Sequence, residues 1–480
     1  MSGTRIGSDL RRTIRISTVE GVYAQIYYAL AGPGSVFLTK FCVLLQASPF
    51  GFGVLAAIGQ ISQVFQPLGA ALTQMKTSRK GIVLTLVAYG RALAFFYGFL
   101  PLLLPSAQRI WGFLLLFFVS ASLQAAGGNA WIAWISDMVP LKYRGRFFSR
   151  RSQYLMIAGL VTGYIFGAFI DLFSAKPSGL TKPLSALVSH LRFFSPGNAI
   201  WAFVGIFVVS AAIGLIGLKI LARQPERAKA VESGSFLTLV REPFADPNFR
   251  NLLFYGIWWM LALGVGSPFW GPFMIKKLNM SIVNIQLYGM ISTISSFAAL
   301  RFWGKFIDRF GNKTAMRYAI VLGGLNPMLW LFATPQNYIY IYIEAFFSGI
   351  MWSGANIVAT NFVLAVAPAR KRQMYSAVFG AVSGVSIMVT MLLCSAHMPP
   401  PMTILGLHLE PEQVLFGLTG LLRFTTQIPL SRVREVRSRP MAEAWVYIQD
   451  YISRPMAEAW VYIQHNIFAR VIPGRKKDGT

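Results

Sequence analysis

The chain has 480 residues, 55% of them hydrophobic and only 13% charged, where a soluble domain carries about a quarter charged residues. Its 44 Lys and Arg against 17 Asp and Glu give a formal net charge of +27. That charge does not point to nucleic acid, because the basic residues sit in short loops between apolar runs, with no stacking or base-reading motif beside them.

Apolar runs of about 20 residues predict about twelve transmembrane helices, an all-α integral membrane protein. In chain order they cover 19–45, 50–73, 82–105, 109–138, 152–172, 199–221, 251–275, 283–303, 315–334, 338–366, 375–398 and 411–430. The first run is too long for a cleaved signal peptide, and no small-residue cleavage site follows it. Cys42 and Cys394 lie in separate apolar runs without metal-ligand spacing. His190, His397, His408 and His465 are scattered at loops or run ends. No metal or other cofactor is expected from them.

The sequence repeats itself. Gly32-x-Gly34-Ser35-x-Phe37, with Phe41 four residues on, returns about 232 residues later as Gly264-x-Gly266-Ser267-x-Phe269, with Phe273 four residues on. Pro140-x-x-x-Arg144 is echoed by Pro368-x-x-x-Arg372, and Ala70 to Lys80 by Gly304 to Thr314. A duplicated membrane unit follows, with its halves in the same order and a ligand site expected between them near the bilayer midplane. The expected division is a segment 1–18, a six-helix bundle 19–221, a linker 222–250, a second six-helix bundle 251–430 and a tail 431–480.

With these spans, about 35 of the 44 basic residues fall on one side, about six on the other, and three remain within spans. The bias puts both termini in the cytoplasm; the membrane is taken as a bacterial inner membrane.

The loop between spans eight and nine reads Gly304-Lys305-Phe306-Ile307-Asp308-Arg309-Phe310-Gly311-Asn312-Lys313. It resembles the cytoplasmic loop motif of the major facilitator superfamily, G-x-x-x-D-R-x-G-x-[KR]. The equivalent loop between spans two and three is degenerate, with Ala70, Gln74, Met75 and Thr77 at the motif's Gly, Asp, Arg and second Gly positions. The stretch from Asp137 through Pro140 to Arg144 and Arg146 is similar to the family's loop after span four. The resemblance covers roughly residues 15–430 and implies two six-helix bundles that move a small solute by alternating access. It also implies that Gly304, Asp308, Arg309, Gly311 and Lys313 form a latch, with Asp137, Arg144 and Arg146 in a related one. Asp308 is expected near helix N-terminal amides, and Gly311 at the turn.

In the resembled family, spans one, four, seven and ten line the cavity. Tyr27 and Trp259 match at the repeat offset; Asn129 and Asn356 stand at corresponding places before Pro140 and Pro368. Gln25, Tyr27, Tyr28, Asn129, Trp131, Trp258, Trp259, Asn356 and Asn361 are therefore candidates for solute contact. The competing reading is that amides and aromatics join helices. Charges within spans are costly and tend to be functional. Arg91, near the middle of span three, is a candidate anchor for an anionic or polar solute, or else a member of a structural ion pair. Glu344, in span ten, is the candidate proton carrier. Lys40 reads as a snorkelling side chain. Ser17-x-x-Glu20 reads as a capping box at a helix start.

Gly159-x-x-x-Gly163-x-x-x-Gly167 in span five and Gly380-x-x-x-Gly384 in span eleven predict close helix approach. Drug-proton antiporters of the resembled family carry a Gly-Pro variant in span five, and no proline stands there. In the tail, Ser438 to Gln449 is repeated unchanged as Ser453 to Gln464. The period of about 15 residues is near four helical turns, so two helical copies would show one face. No phosphate-binding G-x-x-x-x-G-K-[ST] loop is present to drive transport. The expected partners are a small solute, the lipid bilayer and a coupling proton or sodium ion. The alternative is a transporter-like sensor or assembly factor without transport, kept open by the degenerate first loop and the few intramembrane acids. No catalytic cluster is visible, so an enzyme is not expected.

Overall fold

The computed structural model describes residues 2–66, 69, 72, 78–174, 181–188, 190–226, 242–368, 372–404, 406–435 and 438–450. Each predicted span is helical among these residues. Eight spans are long and apolar enough, as they stand, to cross a membrane. The other four are the second (Pro49–Ile61, continued as a 3-10 turn through Phe65), the third (Arg79–Ala92), the ninth (Asn312–Leu329) and the twelfth (Pro411–Thr425). A small antiparallel hairpin, Met402–Ile404 with Leu407–Leu409, lies between spans eleven and twelve.

The first helix runs from Ser2 to Ala31 without a break. Residues 2–18 therefore continue span one as helix. Ser17 and Glu20 lie within the helix, and the capping box expected there is not formed. A cap needs free amides, and these are bonded in the helix interior.

The repeated Gly-x-Gly-Ser-x-Phe segment is where spans one and seven break. In the first copy, Gly34 takes φ 80°, a value that favours glycine. Ser35 then caps the next helix, Val36–Leu44, accepting from the Phe37 amide at 3.2 Å. In the second copy the helix ends at Gly266 and resumes at Trp270, with Ser267 donating to Leu263 O at 2.5 Å. Phe41 and Phe273, at matching places after the breaks, are fully buried in the same apolar cluster.

That cluster shows how the halves meet. It joins Phe37, Phe41 and Phe203 of the first half to Phe269, Phe273 and Trp330 of the second, at the end away from the basic loops. The small-residue stripe of span five belongs to the same seam. A side chain at Gly163 would run into Gln286, and one at Gly167 into Ile282, both on span eight. Small residues there let two helices of different halves approach closely. Gly380 and Gly384 have nothing close enough for an added methyl to meet, so the expected close approach is not seen on span eleven. Toward the basic end the halves have separate cores. Ile82, Val87 and Trp134 pack in the first, and Phe249, Phe306 and Ala315 in the second. The molecule is thus closed at the far end.

The basic end carries a repeated device. After span six, Glu226 accepts from the Arg79 and Lys80 amides at 2.5 and 2.9 Å, and from Ser78 Oγ at 3.0 Å. After span twelve, Glu435 accepts from the Asn312 and Lys313 amides at 3.1 and 2.7 Å. Each glutamate thereby caps the third helix of its own half, where free amides and the helix dipole favour a carboxylate.

The first copy of the tail repeat is helical from Met441 on and packs on the second half. Tyr318 Oη donates to Met441 O at 2.9 Å, the Arg309 guanidinium lies 4.9 Å from the Tyr447 ring centre, and Ala444 is fully buried. Trp445 and Val446 are exposed. The second copy lies outside the described residues.

Candidate functional site

Among the described residues each half buries one arginine and one glutamate, and the two halves arrange them differently. In the first half, Arg91 Nη2 meets Glu20 Oε1 at 3.0 Å and Arg91 Nη1 donates to Gly214 O at 2.6 Å. Glu20 Oε2 also lies 3.9 Å from Arg151 Nη2. Tyr27 sits beside this group, with its ring centre 5.7 Å from the Arg91 guanidinium. Its hydroxyl accepts from Gln124 Nε2 at 2.9 Å and is 3.4 Å from Ser120 Oγ. Arg91, Glu20 and Tyr27 are all buried, and Arg91 Nε and Gln124 Oε1 are left without a hydrogen-bond partner. In this arrangement the Arg91 charge is paired with Glu20, the structural alternative for this residue, and Tyr27 is bonded into the same network.

In the second half the two charges stay apart. A cavity of about 240 Å³ lies within the bundle, lined by Ser267 and Trp270 of span seven, Tyr288 of span eight, Trp330 next to span nine, Glu344, Ser348 and Trp352 of span ten, and Arg423 of span twelve. Tyr288 Oη donates to Glu344 Oε2 at 3.0 Å. Arg423 Nη1 donates to Gly323 O at 2.8 Å, while its buried Nε has no partner. Among the described residues no ion pair joins Arg423 to Glu344. In the aromatic wall Trp270 stacks on Phe416 at 3.8 Å and lies tilted against Trp330 at 4.7 Å, centre to centre. A larger cleft of about 760 Å³ opens at the basic end between span nine and residues 431–435 and 438–440. It is the seam along which the tail lies, far from these buried charges.

The two arginines are related by an exchange. Arg91 stands on the third helix of its half and bonds Gly214 on the sixth. Arg423 stands on the sixth helix of its half and bonds Gly323 on the third. The cross-link is kept while donor and acceptor change sides.

Other expected contacts fall in varied surroundings. Trp259 is buried near Gly323, and Trp131 lies under Arg151, 4.6 Å from ring centre to guanidinium. Both hold helices together. Trp258 is partly exposed and donates to Thr425 Oγ1 at 2.8 Å. Gln25 faces Gly159 of span five. Asn129 and Asn361 are partly buried, while Tyr28 and Asn356 are exposed on spans one and ten. None of these borders the cavity. Sequence reasoning missed Arg423, Tyr288, Trp270, Trp330 and Ser348. The signal available for Arg423 was its position as a basic residue inside an apolar span.

The sequence matches the Major Facilitator Superfamily over residues 23–391. The chain belongs to that family. No curated protein matches it in sequence. Solved structures of similar fold include the nucleoside transporter NupG, with 14% identity over 88% of this chain and 98% of that one, at a TM-score of 0.62. The inward-open xylose transporter XylE from E. coli aligns at 12% identity over 92% of this chain and 99% of that one, with a TM-score of 0.60. A bacterial homologue of the human lysosomal transporter Spinster, inward-facing and unoccupied, aligns at 17% identity over 89% and 94%, with a TM-score of 0.52. The chain is thus a multi-pass membrane protein of a transporter family and not an enzyme.

The major facilitator loop motif stands at the end of span eight and the turn into span nine. Gly304 is spared close contacts, and Gly311 takes φ 85° at the turn into span nine. Asp308 is exposed in the last turn of its helix and meets no amide of the next one. The Asn312 and Lys313 amides of that next helix donate to Glu435. Arg309 lies against Tyr447 of the tail, and Lys313 Nζ donates to Ser431 O and Val433 O at 2.7 and 2.8 Å. Arg146 is exposed. The side chains of Asp137 and Arg144 lie outside the described residues.

Proposed function

We propose that the chain is a gradient-driven transporter of a small solute, working by alternating access, with its basic end in the cytoplasm. The observation that carries this reading is the second-half cavity, where a buried carboxylate and a buried guanidinium face a space without pairing. Buried charges in a membrane protein are costly and are kept where they serve a solute or ion path. The seam between the halves is closed at the end away from the basic loops, so the described state faces the cytoplasm. Glu344 is the proton carrier in this reading, with Tyr288 and Arg423 the titratable and charged groups that face it. Purified protein in liposomes tests the proposal. Glu344→Gln is expected to abolish uphill accumulation while solute counterflow persists. Uphill transport by Glu344→Gln at the normal level would remove the proton-carrier role. Solute binding with no flux at all, in the unaltered protein, would favour the sensor reading.

The loop latch belongs to the other state in this reading. Asp308 stands exposed here because the cytoplasmic side is open, and it engages when that side closes. Asp308→Asn is expected to lower the transport rate and leave thermal stability unchanged. An unchanged rate would count against the latch.

A further inference from the structure

We propose that the cavity in the second half takes a small zwitterion, an α-amino acid with an apolar or aromatic side chain. The proposal rests on that cavity being the solute site, and it names the class of solute. Its carboxylate would lie on Arg423, its ammonium on Glu344, and its side chain among Trp270, Trp330 and Trp352.

Each end of the cavity leaves bonding capacity in place. A guanidinium has five N–H donors in a planar fork suited to a carboxylate. Arg423 uses Nη1 on Gly323 O, and its buried Nε has no partner. A buried donor left without an acceptor is unfavourable, and an incoming carboxylate relieves that. Glu344 accepts from Tyr288 through Oε2, and a carboxylate has about four acceptor positions in all. An ammonium fits there.

The comparison with the first half shows what the separation does. Arg91 and Glu20 have the same two charges in contact at 3.0 Å and neutralise each other without a ligand; the Nε of each arginine is unpartnered, so it is the separation of the charges that sets the second half apart. Arg423 and Glu344 border a cavity that keeps them from doing so. A ligand with one charge would leave the opposite buried charge uncompensated and meet repulsion from the like one. A neutral polyol would compensate neither. A ligand carrying both charges closes the circuit that Arg91 and Glu20 close alone.

Size agrees. A space of 240 Å³ is the liquid share of about eight water molecules. It suits one amino acid better than a peptide or a glycoside. Its walls are mostly apolar or aromatic, with Leu263, Pro327 and Ile387 beside Trp270, Tyr288, Trp330 and Trp352, and with Ser267 and Ser348 the small hydroxyls.

The test uses the full-length protein in detergent and measures ligand-induced thermal stabilisation, which reports binding to the folded state. The probes are leucine, methionine, phenylalanine and tryptophan, each with its decarboxylated amine and its deaminated carboxylate. At least one amino acid is expected to stabilise the protein, with both of its half-analogues binding about 10–100-fold more weakly, the effect of one lost charged hydrogen bond. In Glu344→Gln the amino acid is expected to lose its advantage over the carboxylate analogue. Stabilisation by none of the four, or equal binding of a half-analogue in the unaltered protein, would overturn the proposal. Flux distinguishes this from the transporter reading. Binding of an amino acid without counterflow sinks transport and leaves the ligand class standing. Counterflow of a neutral sugar or nucleoside without amino-acid binding does the reverse.

Discussion

Arg91→Met is expected to yield little folded protein, and Glu20→Gln added to it is expected to restore much of the loss. The single change leaves Glu20 buried with only the more distant Arg151 at 3.9 Å. Removing one member of a buried ion pair costs about 3–5 kcal/mol, because the remaining charge stays out of water. That is comparable with much of a protein's net stability. The double change removes both charges. A neutral pair of similar shape is often no worse than the ion pair it replaces. Methionine fills much of the arginine's stem volume, so packing around Gly214 and Tyr27 is largely kept. Yield of monodisperse protein and its Tm are the readouts. Wild-type stability of Arg91→Met alone, or a double variant no better than the single, would show that the pair does not hold this bundle.

Span positions and the two-fold repeat were legible in the sequence, because apolar length and a recurring Gly-x-Gly-Ser-x-Phe are local properties of the chain. The repeat marks the two breaks in spans one and seven, which the sequence showed as a pattern without showing what it does. The site was much less legible. Arg91 and Glu20 stand 71 positions apart, so no local pattern reports their pairing. The local pattern around Glu20 suggested a cap, and the continuous helix from Ser2 overrode it. Arg423 lies in a predicted span as one of three intramembrane basic residues, but nothing near it in sequence names its neighbours Gly323 and Glu344. The aromatic wall was hidden for another reason. With 14% aromatic residues, the sequence offers many tryptophans and no signal of which ones share a cavity. Glu344 was found because a lone acid in an apolar run is costly wherever it points. The candidates on spans one, four and seven were chosen by analogy with cavity-lining helices, and several of them join helices instead.

Asp171→Ala is expected to open the end of the molecule that is closed here. Asp171 ends span five in the first half, and its carboxylate accepts from the Ile282 and Val283 amides at 3.0 and 3.2 Å. Those amides begin span eight in the second half, where the helix dipole favours an anion. Three carboxylates thus cap helix amides at a distance in sequence. Glu226 and Glu435 do so within their own halves and can persist through a rocking motion. Asp171 joins the two halves, so its bonds must break whenever that end opens. Hydrogen bonds to a charged group contribute about 1.5–3 kcal/mol each. Losing the pair should therefore move the equilibrium toward the open form by at least about tenfold. Spin labels at Ser106→Cys and Gln336→Cys, exposed on opposite halves at that end, read the change on a background without Cys42 and Cys394. A longer distance should gain population in Asp171→Ala, and Asp171→Asn, which keeps acceptors without the charge, should lie between. An unaltered distance distribution in Asp171→Ala would mean that the apolar seam around Phe41 and Phe273 holds this end closed by itself.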